Sequence, residues 1–314
     1  MKLMKRMLAV TAAAGMALSL AACTGNTELI SSAVGEDTGS ASAIQIATKP
    51  MTEQYILGEM LKQIIEAKTD YTCEITKGIA GGTNNIMPAM ESGSFDLYPE
   101  YTSSGYVLVL NHDAAGVDDD DMWQQLLDEY HDQYGMTWVG KYGFNNTFCL
   151  TARGDIAREY NLKTCSDLSA VSDQVVFGGN PDYIERADGY PKLCETYGYN
   201  FKDTRSIDIG VKYAALDSGD IDVTNGFTTD AQLSAQDVVV LEDDLHLQAN
   251  YFCSTVVRED TLESHPGLED ALMLMDGLLS DTEMSHLNYL VEVEEQDEGD
   301  VAHDFLVEKG ILQA

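Results

Sequence analysis

Runs of apolar residues at two different spacings predict an α/β protein. A short β-type run, Ile44–Ala47, precedes apolar positions that recur at helical spacing over 56–65. Residues 73–76 form a predicted second strand, and Gly-Gly-Thr at 81–83 opens a predicted helix that reaches residue 91. This strand–loop–helix order is the opening unit of an α/β layered domain.

The rest of the chain continues the alternation of strands and helices. Short runs rich in apolar residues predict further strands, and longer ones predict helices. We expect strands at 137–139, 147–151, 175–177, 221–223 and 238–241, and helices at 122–134, 262–280, 282–293 and 299–309.

An internal repeat indicates two lobes of similar architecture. Residues 91–104 and 217–230 align at a constant offset of 126 positions. In each copy a helix is expected to end near a glycine, before a short strand that finishes with an aromatic residue. The alternative to two similar lobes is that the two segments resemble each other by chance, since the aligned window is short. The identical pairs are Ser92/Ser218, Gly93/Gly219, Asp96/Asp222 and Thr102/Thr228.

The repeat also predicts where a ligand would bind. Open α/β sheets bind ligands beyond the carboxyl ends of their strands, and Tyr101 and Phe227 stand at these ends in the two copies. Two such lobes facing each other would place the rings on opposite walls of a shared cleft, which is the geometry of a hinged binding protein. The C-terminal helices should return to the first lobe, since two crossings make a hinge.

The first 22 residues have the pattern of an export signal. Three basic residues precede an uncharged apolar run over 7–22, which is shorter than the roughly 20 residues that span a bilayer. The run ends in Leu-Ala-Ala-Cys, which resembles a bacterial lipobox and predicts cleavage before Cys23 and lipidation of its sulfur. An ordinary signal peptide (1–22) with an incidental cysteine is the alternative.

Residues 23–43 are then the lipidated cysteine and a flexible tether rich in Ser, Thr, Gly and Ala. No later segment is long and apolar enough to cross a membrane. We therefore expect a protein that is lipid-anchored to the outer face of the cytoplasmic membrane, at the cell surface or in the periplasm.

Charge and motifs narrow the classes of function. The chain has 18 Lys and Arg against 53 Asp and Glu, a formal net charge of −35. This argues against nucleic-acid partners, whose phosphates are bound mainly by Lys and Arg, and leaves small cations and zwitterions as ligands.

No nucleophile elbow, zinc-protease or Walker motif occurs in the sequence. The acidic run 118–121 lacks the spacing of a calcium loop and should start a helix. We predict no enzyme activity, no metal and no cofactor.

Five short strings, in this order and spacing, resemble the substrate-binding proteins of ABC transporters for glycine betaine, choline and carnitine. Thr229-Asp230 and Tyr251 add two further points of likeness, and the resemblance runs from about residue 44 to 312. The strings are TKPMTEQ at 48–54, GGTN at 81–84, DLYPEYT at 96–102, GFNNT at 143–147 and RADG at 186–189.

The resemblance implies a two-lobed periplasmic-binding-protein fold, type II-like, with a double-crossover hinge and a central ligand cleft. One lobe would take residues 44–144 and 254–314, and the other 145–253. A monomer is expected.

Five cysteines follow Cys23, an odd number. Because Cys149 and Cys253 lie near the two expected crossovers, a disulfide between them is a hypothesis.

The resemblance also implies a site. In relatives an aromatic cage surrounds the quaternary ammonium group, and basic and hydroxyl groups meet a carboxylate. Phe148 and Phe227 stand where relatives commonly carry Tyr, so two phenolic oxygens are missing. Core packing, a surface ion pair or a simple turn remains the alternative for each residue taken alone. The matching positions are Tyr101, Phe148, Phe227 and Tyr251 for the cage, and Lys49, Ser104 and Arg186 for the carboxylate end.

The function implied is capture and delivery of a quaternary ammonium compatible solute, such as glycine betaine, carnitine or choline. The partners would be a separate ABC permease and its ATPase, and the role would be osmoprotection or nutrition. A sensory lipoprotein of the same fold, not coupled to transport, is the alternative, since a fold does not fix a role.

Overall fold

The computed structural model describes residues 43–313, except 115, 186–188 and 209. The predicted signal peptide, Cys23 and Arg186 lie outside these residues. The strands are β1 (Ile44–Ala47), β2 (Cys73–Thr76), β3 (Leu97–Tyr101), β4 (Met136–Asn145), β5 (Phe148–Arg153), β6 (Val176–Gly179), β7 (Asp203–Ser206), β8 (Val223–Phe227), β9 (Val238–Leu241) and β10 (Phe252–Arg258).

Helices connect and cover the strands. A π-helical turn, Gly105–Val109, follows the third helix, and short 3-10 turns lie at Ser172–Gln174, Ala231–Ser234 and Met273–Met275. The α-helices are α1 (Thr52–Lys68), α2 (Thr83–Glu91), α3 (Thr102–Ser104), α4 (Asp119–Tyr134), α5 (Gly154–Tyr160), α6 (Cys165–Ser169), α7 (Pro181–Glu185), α8 (Tyr190–Tyr197), α9 (Lys212–Asp217), α10 (Glu259–Ser264), α11 (Leu268–Leu272), α12 (Asp281–Glu292) and α13 (Glu298–Glu308).

The strands form two five-stranded sheets of the same topology. The first has the order β2-β1-β3-β10-β4 and the second β7-β6-β8-β5-β9. In each sheet three neighbouring strands are parallel, and the fourth in spatial order is antiparallel to both of its neighbours. We call the part of the chain around the first sheet the first lobe and the part around the second sheet the second lobe.

The chain crosses between the two sheets twice. It leaves the first sheet after β4 and returns to it at β10, whereas β5 to β9 all belong to the second sheet. The predicted two-lobed α/β fold with a double crossover is confirmed. Phe252 and Cys253 pair within the first sheet, although the expected boundary at 253/254 assigns them to the second lobe. The lobe boundaries themselves stay a prediction.

Each lobe has its own apolar core. In the first lobe, α1 buries one face against the sheet and the C-terminal helices, as its apolar spacing predicts, with Ile56, Leu57, Met60, Leu61, Ile64 and Ile65 fully buried. A second cluster, around Tyr98, Tyr130 and Trp138, joins the same sheet to α2 and α4. The second lobe packs around Leu150, Phe177 and Val223.

The internal repeat is confirmed in backbone detail. Gly93 and Gly219 adopt φ angles of 73° and 78°, a left-handed conformation that favours glycine. Asp96 N donates to Gln45 O and its Oδ2 accepts from Gln45 N, both at 2.8 Å. Asp222 makes the same two bonds with Val176, at 2.9 and 2.8 Å. The identical aspartates therefore tie the two neighbouring parallel strands of each sheet at the same point.

Several strands are shifted or longer than predicted, such as β8, predicted at 221–223 and observed at Val223–Phe227. Two predicted helices differ from the structure for local reasons. The predicted helix over 262–280 is instead α10, α11 and a 3-10 turn, because Pro266 cannot continue a helix and Gly267 adopts a φ of 88°. The helix predicted at 122–134 begins at Asp119, since the Asp118 side chain accepts from the Asp120 and Asp121 amides and caps it.

The disulfide hypothesis is wrong. Cys149 and Cys253 are both free thiols, and they belong to β5 and β10 in different sheets. Burial raises the pKa of the Cys149 thiol to about 12 and holds that of Cys253 well above its ordinary value.

Candidate functional site

A cavity of 740 Å³ opens between the two lobes. Its walls come from residues within 107–122 of the first lobe, from Phe148, Tyr183 and Gly189 of the second, and from the return segment 246–251. The volume lies in the range of roughly 300–1,000 Å³ that is typical of small-molecule sites. Both lobes therefore contribute to one site at the carboxyl ends of their central strands.

The second-lobe wall is a row of aromatic rings. Phe148 and Phe227 are directly opposite across β5 and β8, with ring centroids 4.7 Å apart. Tyr183, from α7, lies with its ring 5.8 Å from that of Phe148 and lines the cavity. Phe227 is not among the lining residues; it supports Phe148 from behind.

Sequence reasoning missed Tyr183. The one available signal was its position three residues before Arg186, within a loop region that carries one of the family-like strings. A tyrosine at that place is also compatible with core packing, and the residue is in fact 5 % exposed.

In the first lobe, Tyr101 lies farther from the cavity surface than Phe148 and Tyr183 do. Its ring is buried and lies outside the cavity lining, whereas Tyr251 lines the cavity. Lys49 places its Nζ 4.8 Å from the centroid of the Tyr101 ring and forms a buried ion pair with Glu100. The predicted cage residues are thus split between the cavity surface and the layer directly behind it.

Glu100 is the acceptor that organises this layer. Its side chain is fully buried and accepts from Lys49 Nζ, from Thr83 Oγ1 at 2.6 Å and from Tyr98 Oη at 3.1 Å. The Tyr101 backbone N–H donates to it as well, at 2.6 Å. Four donors satisfy the carboxylate, which is what a buried charge requires.

Glu53 is a second buried carboxylate in this region. It accepts from Tyr101 Oη and from Asn146 Nδ2 at 3.0 Å through Oε1, and from Asn288 Nδ2 at 3.4 Å through Oε2. Burial raises the pKa of Glu53 above its ordinary value, against the lowering effect of these hydrogen bonds. Sequence reasoning missed Glu53 as a site residue, although it belongs to the TKPMTEQ string.

The second lobe has a comparable lysine. Lys212 Nζ lies 4.9 Å from the ring centroid of Tyr213 and 5.9 Å from that of Phe227, and pairs with Asp230 at 3.0 Å. Asp230 also accepts from Tyr213 Oη at 2.6 Å and from the Phe227 amide at 3.1 Å. No signal in the sequence had singled out Lys212.

The hinge is bound by short polar contacts close to the cavity. Asn145 joins the two crossing segments, because its Nδ2 donates to Asn250 Oδ1 and its Oδ1 accepts from the Tyr251 amide, both at 2.7 Å. Ser103 Oγ donates to Asn250 O at 2.5 Å. Predicted Ser104, its neighbour in α3, is half-buried.

A third connection between the lobes lies beside the hinge. Ser285, in α12, donates from Oγ to Asp230 O at 2.8 Å and lies 3.0 Å from Ser234 Oγ. Asn288 Nδ2 donates to Thr229 O at 2.9 Å. A C-terminal helix of the first lobe therefore contacts the second lobe directly after β8.

Two further properties bear on the type of protein. Within the part of the chain that the structure describes, no helix combines the length and apolar character needed to cross a bilayer. Nor do three or more His, Cys, Asp or Glu side chains there gather in a way that would hold a metal ion.

The fold and the interlobe cavity define the class: a hinged, two-lobed solute-binding protein. The sequence profile of the substrate binding domain of ABC-type glycine betaine transport systems matches residues 42–308. The chain belongs to this family. Members are transport binding proteins and not enzymes, and they work outside the cytoplasm.

Individual relatives agree with this assignment. The chain is 36% identical over 266 residues to an ergothioneine transport permease/ergothioneine binding protein of Helicobacter pylori, covering 85% of this chain and 47% of that one. It is 30% identical over 269 residues to a carnitine transport binding protein of Listeria monocytogenes, covering 85% and 87%. The chain thus spans about half of the Helicobacter relative and most of the Listeria one.

A solved structure supports the fold. A crystal structure described as a glycine betaine/carnitine/choline ABC transporter superposes with a TM-score of 0.80 at 27% identity, covering 85% of this chain and 99% of that one. The predicted family, fold class and solute-binding role are confirmed. The individual binding residues stay predictions.

Proposed function

We propose that this protein captures a betaine, a zwitterion with a quaternary ammonium group, between its lobes and delivers it to a separate ABC permease driven by its own ATPase. The observation that carries the proposal is the aromatic lining of the cavity by Phe148, Tyr183 and Tyr251. A trimethylammonium group has no N–H to donate, so ring faces bind it better than hydrogen-bond acceptors do. Each desolvated contact contributes roughly 0.5–2 kcal/mol.

The carboxylate end of the ligand would meet Lys49, Ser104 and Arg186. Lys49 already donates to Glu100, but an ammonium carries three N–H donors, so the pair with Glu100 is compatible with a ligand contact. Arg186 offers a planar fork that suits a carboxylate. Three aspartates, Asp113, Asp118 and Asp119, line the cavity and favour the approach of the cationic end.

Among betaines, we infer that the preferred ligand is larger than glycine betaine, with ergothioneine first and carnitine second. Ergothioneine carries a thione ring beside its trimethylammonium and carboxylate groups, and Tyr183 adds a third ring on which it could stack. The cavity volume of 740 Å³ and the relative of 36% identity named for ergothioneine support this order.

We also propose that Cys23 carries a lipid that anchors the monomeric mature protein to the outer face of the cytoplasmic membrane. Family members work outside the cytoplasm, and the lipobox-like Leu-Ala-Ala-Cys supplies the attachment site. Expressed in its host with radiolabelled palmitate, the protein should take up label, and Cys23→Ser should not. Label on both would contradict the anchor at Cys23.

Calorimetric titration tests the ligand. The purified protein, freed of bound solute by unfolding and refolding, is titrated with ergothioneine, carnitine, glycine betaine and choline. Tyr183→Ala should weaken ergothioneine binding about tenfold and glycine betaine binding less. Arg186→Ala should weaken every ligand that has a carboxylate but spare choline.

Tyr160→Ala is the matched control, because Tyr160 lies on α5 of the same lobe and does not line the cavity. It should leave all four affinities unchanged. A folded protein that gives no heat with any of the four compounds would end the betaine proposal. Equal losses from Tyr183→Ala for large and small ligands would remove the size preference.

A further inference from the structure

Glu53 occupies an unusual position for a carboxylate. It is the second residue of α1, and its side chain is 3 % exposed. Among the described residues, no lysine, arginine or histidine forms an ion pair with it. A buried carboxylate without a cationic partner is costly unless several donors satisfy it. Tyr101, Asn146 and Asn288 are those donors.

The donors come from three separate parts of the chain. Tyr101 ends β3 of the first lobe, and Asn146 lies in the first crossover between β4 and β5. Asn288 bridges further, because its Nδ2 also donates to the Thr229 carbonyl of the second lobe, 2.9 Å away. The Thr229 side chain is also close enough to lower the pKa of Glu53.

The same carboxylate therefore binds a ring directly behind the cavity and, through Asn146 and Asn288, is connected to the first crossover and to the second lobe. A rotation of the lobes about the crossovers would move Asn146 and Thr229 relative to α1, and it would change the acceptor geometry offered to Tyr101 Oη. We propose that Glu53 is a positioning residue: it keeps the Tyr101 ring in register with the second lobe. The statement that Tyr101 acts on the ligand rests on the proposed function; the link between Glu53 and the hinge does not.

Two substitutions at Glu53 test whether it positions the Tyr101 ring or only fills space in the core. Glu53→Ala removes the acceptor for Tyr101 Oη, whereas Glu53→Gln keeps an oxygen there with almost the same shape. Tyr101→Phe removes the donor. Tyr142→Phe is the matched control, because Tyr142 is a fully buried tyrosine of the same lobe whose Oη bonds Thr255 Oγ1 at 2.7 Å, away from Glu53.

The first measurement is the affinity for ergothioneine and for carnitine by calorimetry. Glu53→Ala should weaken binding about tenfold, since a hydrogen bond to a charged group is lost, and Glu53→Gln should restore most of it. Adding Glu53→Ala to Tyr101→Phe should cost less than the sum of the two single losses, because the two residues share one bond. Additive losses, or a loss with Gln as large as with Ala, would overturn the proposal.

The second measurement needs no ligand. The Asn146 amide donates to Tyr251 O at 3.2 Å and so joins the two crossing segments of the hinge, and its hydrogen exchange reports opening there. Glu53→Ala should speed this exchange about tenfold, and Tyr142→Phe should leave it unchanged. Unchanged exchange in Glu53→Ala would overturn the link. If the wild type binds neither probe, the proposed function fails and this exchange decides the inference alone.

Discussion

The two lobes hold an aromatic ring at the same point of the internal repeat, but they hold it by different means. Tyr101 is buried, and its hydroxyl is bound by Glu53, which also accepts from Asn146 in the first crossover. Phe227 is half-buried and is held by ring contact with Phe148 at 4.7 Å. A repeat that is conserved in backbone geometry therefore carries a polar anchor in one lobe and an apolar anchor in the other.

The lysines beside the two rings show the same contrast. Lys49 pairs with Glu100, whose side chain is 0% exposed, whereas Lys212 pairs with Asp230, whose side chain is 21% exposed. The two lysines are both buried, at 10% and 4% exposed, so the contrast lies in the acids: water can take the place of Asp230 more readily than that of Glu100. The first-lobe site should therefore be the more demanding one energetically, and the second-lobe site the more tolerant.

The most direct test of this difference is to remove the acidic partner of each lysine. Glu100→Ala leaves Lys49 buried without a counter-charge and should lower the free energy of unfolding by about 3–5 kcal/mol. Asp230→Ala should cost less, about 1–3 kcal/mol, because its site is partly open to water. Urea unfolding followed by circular dichroism measures both.

Glu91→Ala, at the exposed end of α2, controls for removal of an acidic residue from this very acidic chain. It should change the free energy of unfolding by no more than about 0.5 kcal/mol. Equal losses for Glu100→Ala and Asp230→Ala would show that the two sites do not differ in their dependence on burial.

Giving each ring the residue type of the other tests the two anchors further. Tyr101→Phe removes a donor from buried Glu53 and should cost about 1–3 kcal/mol of unfolding free energy. Phe227→Tyr adds a hydroxyl to a half-buried ring that water can reach. This variant should change the free energy of unfolding by no more than about 0.5 kcal/mol. Thermal or urea unfolding of the two variants side by side gives the difference, and a larger loss from Phe227→Tyr would reverse the assignment of anchors.

Much of the first lobe and of the repeat follows from local pattern. The predicted bounds of β1 and β2 match those observed, because each is a short run limited by turn residues. Gly93 and Gly219 could be singled out since a helix end that turns into a strand needs the left-handed conformation. Apart from the helix expected to end near Gly219, the helices of the second lobe were not predicted, because α5 to α8 are only 5 to 8 residues long and too short to show a helical period.

The site was predictable only where residues sit next to a recognisable string. Glu53 could not be assigned a role, because its partners Asn146 and Asn288 are 93 and 235 positions away in the chain. Tyr183 meets Phe148 through the packing of α7 on β5, which no periodicity reports. Burial and long-range pairing, rather than residue type, decide which side chains face the cavity.

The smallest expected effect concerns pH, and it follows from the polar nature of the first anchor. Burial raises the pKa of Glu53 in the folded protein above its ordinary value of 4.5. As pH rises from about that value, the unfolded chain releases this proton before the folded chain does, so the folded state loses stability relative to Glu53→Gln. The loss is at most about 1.4 kcal/mol for each pH unit and ends above the folded pKa.

Glu298→Gln provides a control of opposite sign, since Lys77 holds the pKa of Glu298 below its usual range. For that pair, the wild type should lose stability relative to the variant as pH falls below 4.5. Urea unfolding of wild type and both variants at matched ionic strength, from pH 3 to 8, measures the two differences. If the difference between wild type and Glu53→Gln is flat across this range, Glu53 loses its proton in the folded protein as it would in water. In that case, the anchor of Tyr101 would not distinguish the lobes by charge, and the contrast with Phe227 would reduce to one hydrogen bond.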